Sequence, residues 1–225
     1  MGVSGPGYAP QSEPKKKRPG WMTGGITILS FVALLYIVEV LNQISGDRLD
    51  NNGIRPLETD GLVGIVFAPL LHANWQHLIA NTGPALILGF LMTLAGLSRF
   101  IFGSAIIWIL GGFGTWLIGT MGNTCGGEPN IIGASGLIFG WLTFLIVFGF
   151  FTRTIWQIVV GALVLLYYGT VLLGALPQVG CTGISWQGHL CGAIAGVLAA
   201  YLLSGPERRA RQLRKRKATN PYLTS

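Results

Sequence analysis

Charged residues are scarce in this sequence, and their scarcity excludes several classes of protein. Only 10% of the 225 residues are Asp, Glu, Lys or Arg, whereas an average soluble domain has about 25%. The three cysteines form no CxxC pair and the three histidines form no HExxH motif, so the common zinc-binding patterns are missing. We therefore expect neither a soluble domain nor a metal centre.

Apolar residues take the place of the missing charge. The mean hydropathy is +0.57 and the chain contains 34 glycines, a composition that suits closely packed membrane helices. Six apolar segments have the roughly 19 to 23 residues that crossing a bilayer requires: Thr23–Leu41, His77–Leu97, Phe100–Gly122, Ile131–Phe151, Ile155–Leu176 and Ile184–Gly205. The sequence thus predicts an all-α polytopic membrane protein with a six-helix domain over residues 21–205.

The placement of the basic residues predicts the orientation. The formal net charge of +7 is concentrated in two clusters, Lys15–Arg18 and Arg208–Lys217, which lie beside apolar segments and contain no aromatic residues. This is the positive-inside pattern of membrane proteins, not the signature of nucleic-acid binding. We expect a disordered N-terminal tail (1–20) and a basic C-terminal tail (206–225), both cytoplasmic. The tails either contact anionic lipid or only fix the orientation.

The outer loops carry three further expectations. The first, about residues 42–76, is long and contains an apolar run at 62–67 that is too short to span, so we expect it in or on the outer leaflet. Cys125 and Cys181 fall in later outer loops, where they form a disulfide or remain free thiols. Glu39, in the outer half of the first span, pairs with Arg55 or reaches the interface.

Polar side chains recur near the outer ends of three spans. With this topology His77 and Asn81 in span two, Ser135 in span four and His189 in span six share one depth. Polar groups inside a membrane are costly and often functional, and a serine with a histidine supplies a nucleophile and its base. The alternative is that these residues are unrelated interfacial groups at helix ends.

Glycines predict which spans meet. Gly136 and Gly140 are four residues apart in span four, as are Gly192 and Gly196 in span six. This spacing lets helix backbones approach closely, although ordinary membrane packing also explains it. Because Ser135 precedes the first pair and His189 precedes the second, a contact between the two side chains is the better interpretation.

Taken together, these motifs resemble those of the rhomboid intramembrane serine proteases. The resemblance covers about Thr23 to Gly205. It rests on three motifs in this order: His72-x4-His77-x3-Asn81, Gly133-Ala134-Ser135-Gly136 and Gly188-His189-x2-Gly192.

The resemblance implies a role for each motif residue. Ser135 would be the nucleophile and His189 the general base, without an acidic third member. The oxyanion would be bound by the backbone N–H of Ser135 and by the side chains of His77 and Asn81. Supporting positions would be His72, Gly133, Gly136, Phe139 and Gly192. Phe139 stands where the family often has tyrosine.

The activity implied is hydrolysis of peptide bonds in or near transmembrane segments of other membrane proteins, without a cofactor. We expect an integral protein of a bacterial plasma membrane, with its site near the outer face and with membrane lipids, but no nucleic acid, as partners. Two alternatives are a non-catalytic rhomboid-like protein that binds membrane clients and a small membrane transporter. The sequence does not specify the oligomeric state.

Overall fold

The computed structural model describes residues 18–121, 129–177 and 184–219 and contains six helices that are long and apolar enough to cross a membrane. These helices are α1 (Gly20–Ile44), α2 (Trp75–Leu94), α3 (Leu97–Ile118), α4 (Ser135–Thr152), α5 (Ile155–Ala175) and α6 (Trp186–Leu203). A seventh helix, α7 (Gly205–Thr219), follows directly. The predicted all-α fold with six spans is confirmed, and the protein is an integral membrane protein.

One boundary differs from the prediction in a way that matters for the site. Span four was expected to begin at Ile131, but α4 begins at Ser135. Ile131 instead forms an isolated antiparallel bridge with Ile54, in which each backbone N–H donates to the other carbonyl at 2.9 Å. Because the partner lies 77 positions earlier, an apolar run alone does not reveal this extended segment.

The loop between α1 and α2, which we expect on the outer side, is folded onto α3. Its segment Asp60–Leu70 consists of short helical turns, and Val63 and Val66 on this segment are exposed. Two tryptophans of α3 form hydrogen bonds to this loop. The indole N–H of Trp108 donates to the Ile65 carbonyl at 2.8 Å, and that of Trp116 donates to the Glu58 carbonyl at 2.8 Å. The loop is therefore ordered, while its depth in the bilayer stays a prediction.

Helix α4 forms the centre of the bundle. In its most apolar window 61% of the residues are buried, against 17% in α5. Its aromatic residues Trp141, Phe144 and Phe148 are among the largest fully buried side chains. Helix α4 packs along α6 and α5 and also contacts α2. A polar residue at the start of α4 is consequently surrounded by other spans.

The ends of several helices meet at Arg99, which lies in the first turn of α3. Its guanidinium donates to the Ala95 carbonyl at 2.8 Å, pairs with Glu207 of α7 and lies 5.2 Å from the centre of the Phe148 ring. The segment expected to be a basic tail is thus helical over Gly205–Thr219, and its first turn is attached to the bundle.

The expectations for Glu39 were both wrong. Arg55 pairs with Glu58, with 2.7 Å between Nε and Oε2, and Glu39 is only 2% exposed, on the inner face of α1. Both alternatives for Cys125 and Cys181, a disulfide or free thiols, lie outside the described residues. So do residues 1–17 of the tail expected to be disordered over 1–20, whereas Gly20 already begins α1. The cysteine that the structure does describe, Cys191, is free and buried.

Candidate active site

Ser135 is presented by a sharp turn at the start of α4. Gly133 has a φ of 122°, a conformation that side-chain-bearing residues rarely adopt. A Cβ atom at Gly133 would lie 2.7 Å from Cε1 of His77, so the position also lacks space. The N–H of Gly133 donates to the Ala68 carbonyl at 2.8 Å. Ser135 therefore lies at the helix N-terminus, where backbone N–H groups have no partner within the helix.

His189 lies in the first turn of α6, which Ser185 caps. The hydroxyl of Ser185 accepts the N–H of Gly188 at 3.1 Å. The buried amide of Gln187 donates to the Met121 carbonyl at 2.5 Å, tying this turn to the chain that follows α3. These contacts fix the N-terminal turn of α6, and with it the backbone of His189.

The structure brings Ser135 and His189 together. Nε2 of His189 is 2.9 Å from Oγ of Ser135. The imidazole stacks on Phe139, with ring centres 4.1 Å apart and planes within 9°. Its other nitrogen, Nδ1, is 3.0 Å from the carbonyl oxygen of Gly174 in α5. The imidazole is thus held at one face and at both nitrogens.

Small residues allow α4 and α6 to approach at this level. A Cβ atom added to Gly192 would collide with the carbonyl oxygen of Gly136, and one added to Gly196 with that of Gly140. Farther along the seam, the hydroxyl of Thr143 donates to the Ala193 carbonyl at 2.8 Å. The backbones are in direct contact, which explains how a short serine side chain reaches the imidazole.

His77 and Asn81 of α2 line the same cavity as Ser135 and His189. This cavity has a volume of about 550 Å³. The side-chain oxygen of Asn74 caps α2 by accepting the N–H of His77 at 2.9 Å, and the Asn81 amide donates to the His77 carbonyl at 3.0 Å. Since a side-chain amide carries two donor hydrogens, the second N–H of Asn81 is free to donate to a group bound in the cavity.

His72 packs against His77, outside the cavity lining, and is fully buried. Its Nε2 accepts the N–H of Ala134 at 3.5 Å, and its ring centre is 5.1 Å from that of His77. Burial, with a smaller contribution from His77, lowers the pKa of His72 to about 4. His72 is therefore neutral at pH 7 and contacts the backbone just before Ser135, as a supporting residue would.

Three residues that were not predicted from the sequence also shape the site: Gly174, Ser185 and Thr143. A signal existed for Ser185, because a serine just before an apolar run is a typical helix N-cap. Gly174 and Thr143 act through tertiary contacts that no local pattern reveals. Among the residues that the structure describes, no group of three His, Cys, Asp or Glu side chains is placed to hold a metal ion.

Comparison with known proteins agrees with this architecture. The Rhomboid domain matches residues 59–206. An uncharacterised protein of Mycobacterium tuberculosis is 68% identical over 207 residues, covering 92% of this chain and 86% of its own. One of Mycobacterium leprae is 60% identical over 218 residues, covering 96% and 86%. A protein of Acanthamoeba polyphaga mimivirus that is named as a rhomboid protein is 31% identical over 146 residues, covering 65% and 78%. With six spans and a domain match over most of its length, the chain belongs to the rhomboid family.

Proposed function

We propose that this protein is an intramembrane serine endopeptidase that uses Ser135 and His189 as a catalytic dyad. The observation that carries the proposal is the 2.9 Å distance between Oγ of Ser135 and Nε2 of His189. A nucleophile and a base within hydrogen-bond reach are the geometry that covalent catalysis by serine requires. Family membership supports the assignment, because rhomboids are commonly proteases of this kind.

The proposed reaction follows from the placement of each group. Nε2 of His189 takes the proton from Oγ of Ser135 as the oxygen attacks the substrate carbonyl. The imidazolium then gives that proton to the departing amine, which leaves an acyl ester on Ser135. A water molecule, deprotonated in turn by His189, hydrolyses the ester and restores the serine.

The negative charge of each tetrahedral intermediate needs donors placed in advance. The N–H of Ser135 lies in the first turn of α4, where the helix dipole favours an anion. His77 and Asn81 border the same cavity and would donate to the oxyanion from α2. We propose these three groups as the oxyanion site, with His72, Gly133, Gly136, Phe139 and Gly192 in supporting positions.

The substrates we propose are transmembrane segments of other proteins. The cavity that holds Ser135 also reaches the first outer loop at Ile54 and Ala68, which provides a path for water from that side. From the distribution of basic residues we propose that both termini are cytoplasmic and that the site opens toward the outer face.

Labelling with a fluorophosphonate tests the proposal. Purified protein in detergent should be labelled and should cleave a reconstituted single-span substrate, while Ser135→Ala protein should do neither. Ser204→Ala is a suitable control because Ser204 lies at the far end of α6, where its hydroxyl donates to the Tyr201 carbonyl at 2.8 Å. A folded wild-type protein that binds membrane proteins without being labelled or cleaving them would instead be a non-catalytic client-binding relative.

A further inference from the structure

The dyad has an acceptor on its far side that comes from a third helix. We propose that the backbone carbonyl of Gly174 in α5 orients His189 and stabilises its protonated form, in the place where other serine hydrolases use a carboxylate. The catalytic consequence rests on the protease function proposed above. The hydrogen bond itself can be tested independently of that function.

The two contacts of the imidazole determine where its proton lies. A carbonyl oxygen only accepts, so the 3.0 Å contact between Gly174 O and Nδ1 requires the proton to be on Nδ1. In the neutral ring Nε2 then carries the lone pair, and Nε2 is the atom 2.9 Å from Ser135 Oγ. Gly174 thus selects the tautomer that a general base for Ser135 needs.

The electrostatic setting of Gly174 strengthens this role. Gly174 is the penultimate residue of the 3-10 turn Gly169–Ala175 that ends α5, and carbonyls at a helix C-terminus carry partial negative charge and lack partners within the helix. The N–H of Leu176, two residues beyond Gly174, donates to the Leu173 carbonyl at 3.1 Å and not to that of Gly174. This end of α5 therefore favours a cation at His189.

No carboxylate competes for this role within the neighbouring spans. Helices α4, α5 and α6 contain no Asp or Glu, and within the part of the chain that the structure describes the ionisable side chain that acts on His189 is His77 of α2. A helix-end carbonyl is the available substitute for the acidic third member that orients the histidine in other serine hydrolases.

Only glycine fits at position 174 without disturbance. A Cβ atom there would lie 3.2 Å from Cζ of Phe139 and 3.3 Å from Nδ1 of His189, so both rings would have to move. Helix α5 is the least buried span. The Gly174 carbonyl can orient His189 only while the end of α5 that carries Gly174 packs against α6.

The first experiment determines the tautomer directly. Nitrogen-15 NMR of histidine-labelled Ser135→Ala protein in detergent micelles, with His72→Gln and His77→Gln variants for assignment, should show the His189 proton on Nδ1. This variant removes the Oγ partner, so a retained Nδ1 proton must be held by another acceptor. A proton found mainly on Nε2 would overturn the proposal whether or not the protein is a protease.

The second experiment compares two glycines of the same 3-10 turn. Gly174→Ala should lower kcat by about ten- to thirtyfold, the size of a strong interaction between a helix C-terminus and a histidine, with little change in KM. The acidic limb of its kcat–pH profile should move to lower pH, because the added Cβ displaces the imidazole from the carbonyl that stabilises its protonated form. Gly169→Ala, whose Cβ would contact only Leu165, at 3.3 Å, should match the wild type in both respects.

Thermal unfolding of both variants shows whether they fold. A folded Gly174→Ala protein with wild-type kcat and an unshifted pH profile would overturn the catalytic part of the proposal. If the Ser135→Ala protein shows the Nδ1 tautomer but folded wild-type protein is neither labelled nor active, the protease function is refuted and the hydrogen bond stands.

Discussion

At the scale of single residues, Ser135 and His189 should behave as one functional unit. Ser135→Ala and His189→Ala are each expected to abolish cleavage of a reconstituted substrate, and the double variant should be no worse than either single one. Groups that act in one proton transfer lose their effect together. The measurement is the single-turnover cleavage rate of the three variants. Additive losses would mean that the two side chains act separately.

His77 and Asn81 should matter more for turnover than for binding. Replacing either with alanine removes one donor to the oxyanion, which typically costs about 2.7–4 kcal/mol of transition-state stabilisation. We expect kcat to fall by about 100- to 1000-fold with a nearly constant KM. Thr82→Val on the same helix is the control, since the Thr82 hydroxyl bonds Leu78 O and Tyr36. A change confined to KM would contradict the role.

His72 should make stability depend on pH. Its pKa falls from 6.5 to about 4 on folding, so the unfolded chain binds the proton more tightly. The contribution of neutral His72 to the free energy of unfolding is therefore complete above pH 6.5 and is lost as the pH falls toward 4. A pKa difference of this size corresponds to at most about 3.4 kcal/mol of the free energy of unfolding.

Thermal unfolding in detergent between pH 7.5 and 4.5 measures this contribution. The wild type should lose more stability than His72→Gln over that range. The comparison between the two proteins is needed because burial raises the pKa of Asp50, which acts with the opposite sign. Parallel curves for the two proteins would contradict the prediction.

At the scale of helices, the seam between α4 and α6 should tolerate no added atoms. Gly192→Ala places a methyl group against the Gly136 carbonyl oxygen, and such overpacking typically costs about 1–3 kcal/mol. A displacement of about 1 Å at a catalytic contact can reduce the rate about 100-fold. We expect lower thermal stability and little cleavage from this variant.

A glycine elsewhere in the bundle provides the control for that seam. Gly83 in α2 has no atom within 4 Å of an added Cβ, so Gly83→Ala should be neutral or should stabilise the protein by roughly 0.5–1 kcal/mol. If Gly192→Ala retains wild-type stability and cleavage, the close approach of the two backbones is not required.

The positions of the helices could be predicted from the sequence, whereas two contacts that shape the site could not. Long apolar runs located all six spans, and glycines four residues apart indicated that α4 and α6 meet. The start of α4 at Ser135 depends on the pairing of Ile131 with Ile54, and the acceptor for His189 depends on how α5 ends at Gly174. Both are contacts between distant parts of the chain, which a local pattern cannot encode.

At the scale of the whole molecule, the basic helix α7 should act on lipids and not on chemistry. Arg209, Arg214 and Arg216 are exposed, whereas Glu207 attaches the helix to Arg99. Each basic residue near an anionic membrane surface contributes about 1 kcal/mol. Changing the three arginines to glutamine should leave proteolysis in neutral detergent unchanged and weaken the preference of the protein for phosphatidylglycerol bilayers over neutral ones.

Phosphatidylcholine vesicles are the matched control, because they present the same phosphate without net charge. Equal partition of the variant and the wild type into both kinds of vesicle would mean that the cluster serves only to orient the chain. Loss of cleavage in detergent would place α7 in the catalytic machinery, contrary to our expectation.

The unequal burial of the spans has a consequence for how such a chain can change over generations. On α5 most side chains face lipid, so exchanging one aliphatic residue for another leaves its surroundings nearly the same. On α4 the same exchange alters the volume of a packed interior. Sequence divergence should therefore be faster on α5 than on α4, although the two helices are similarly apolar.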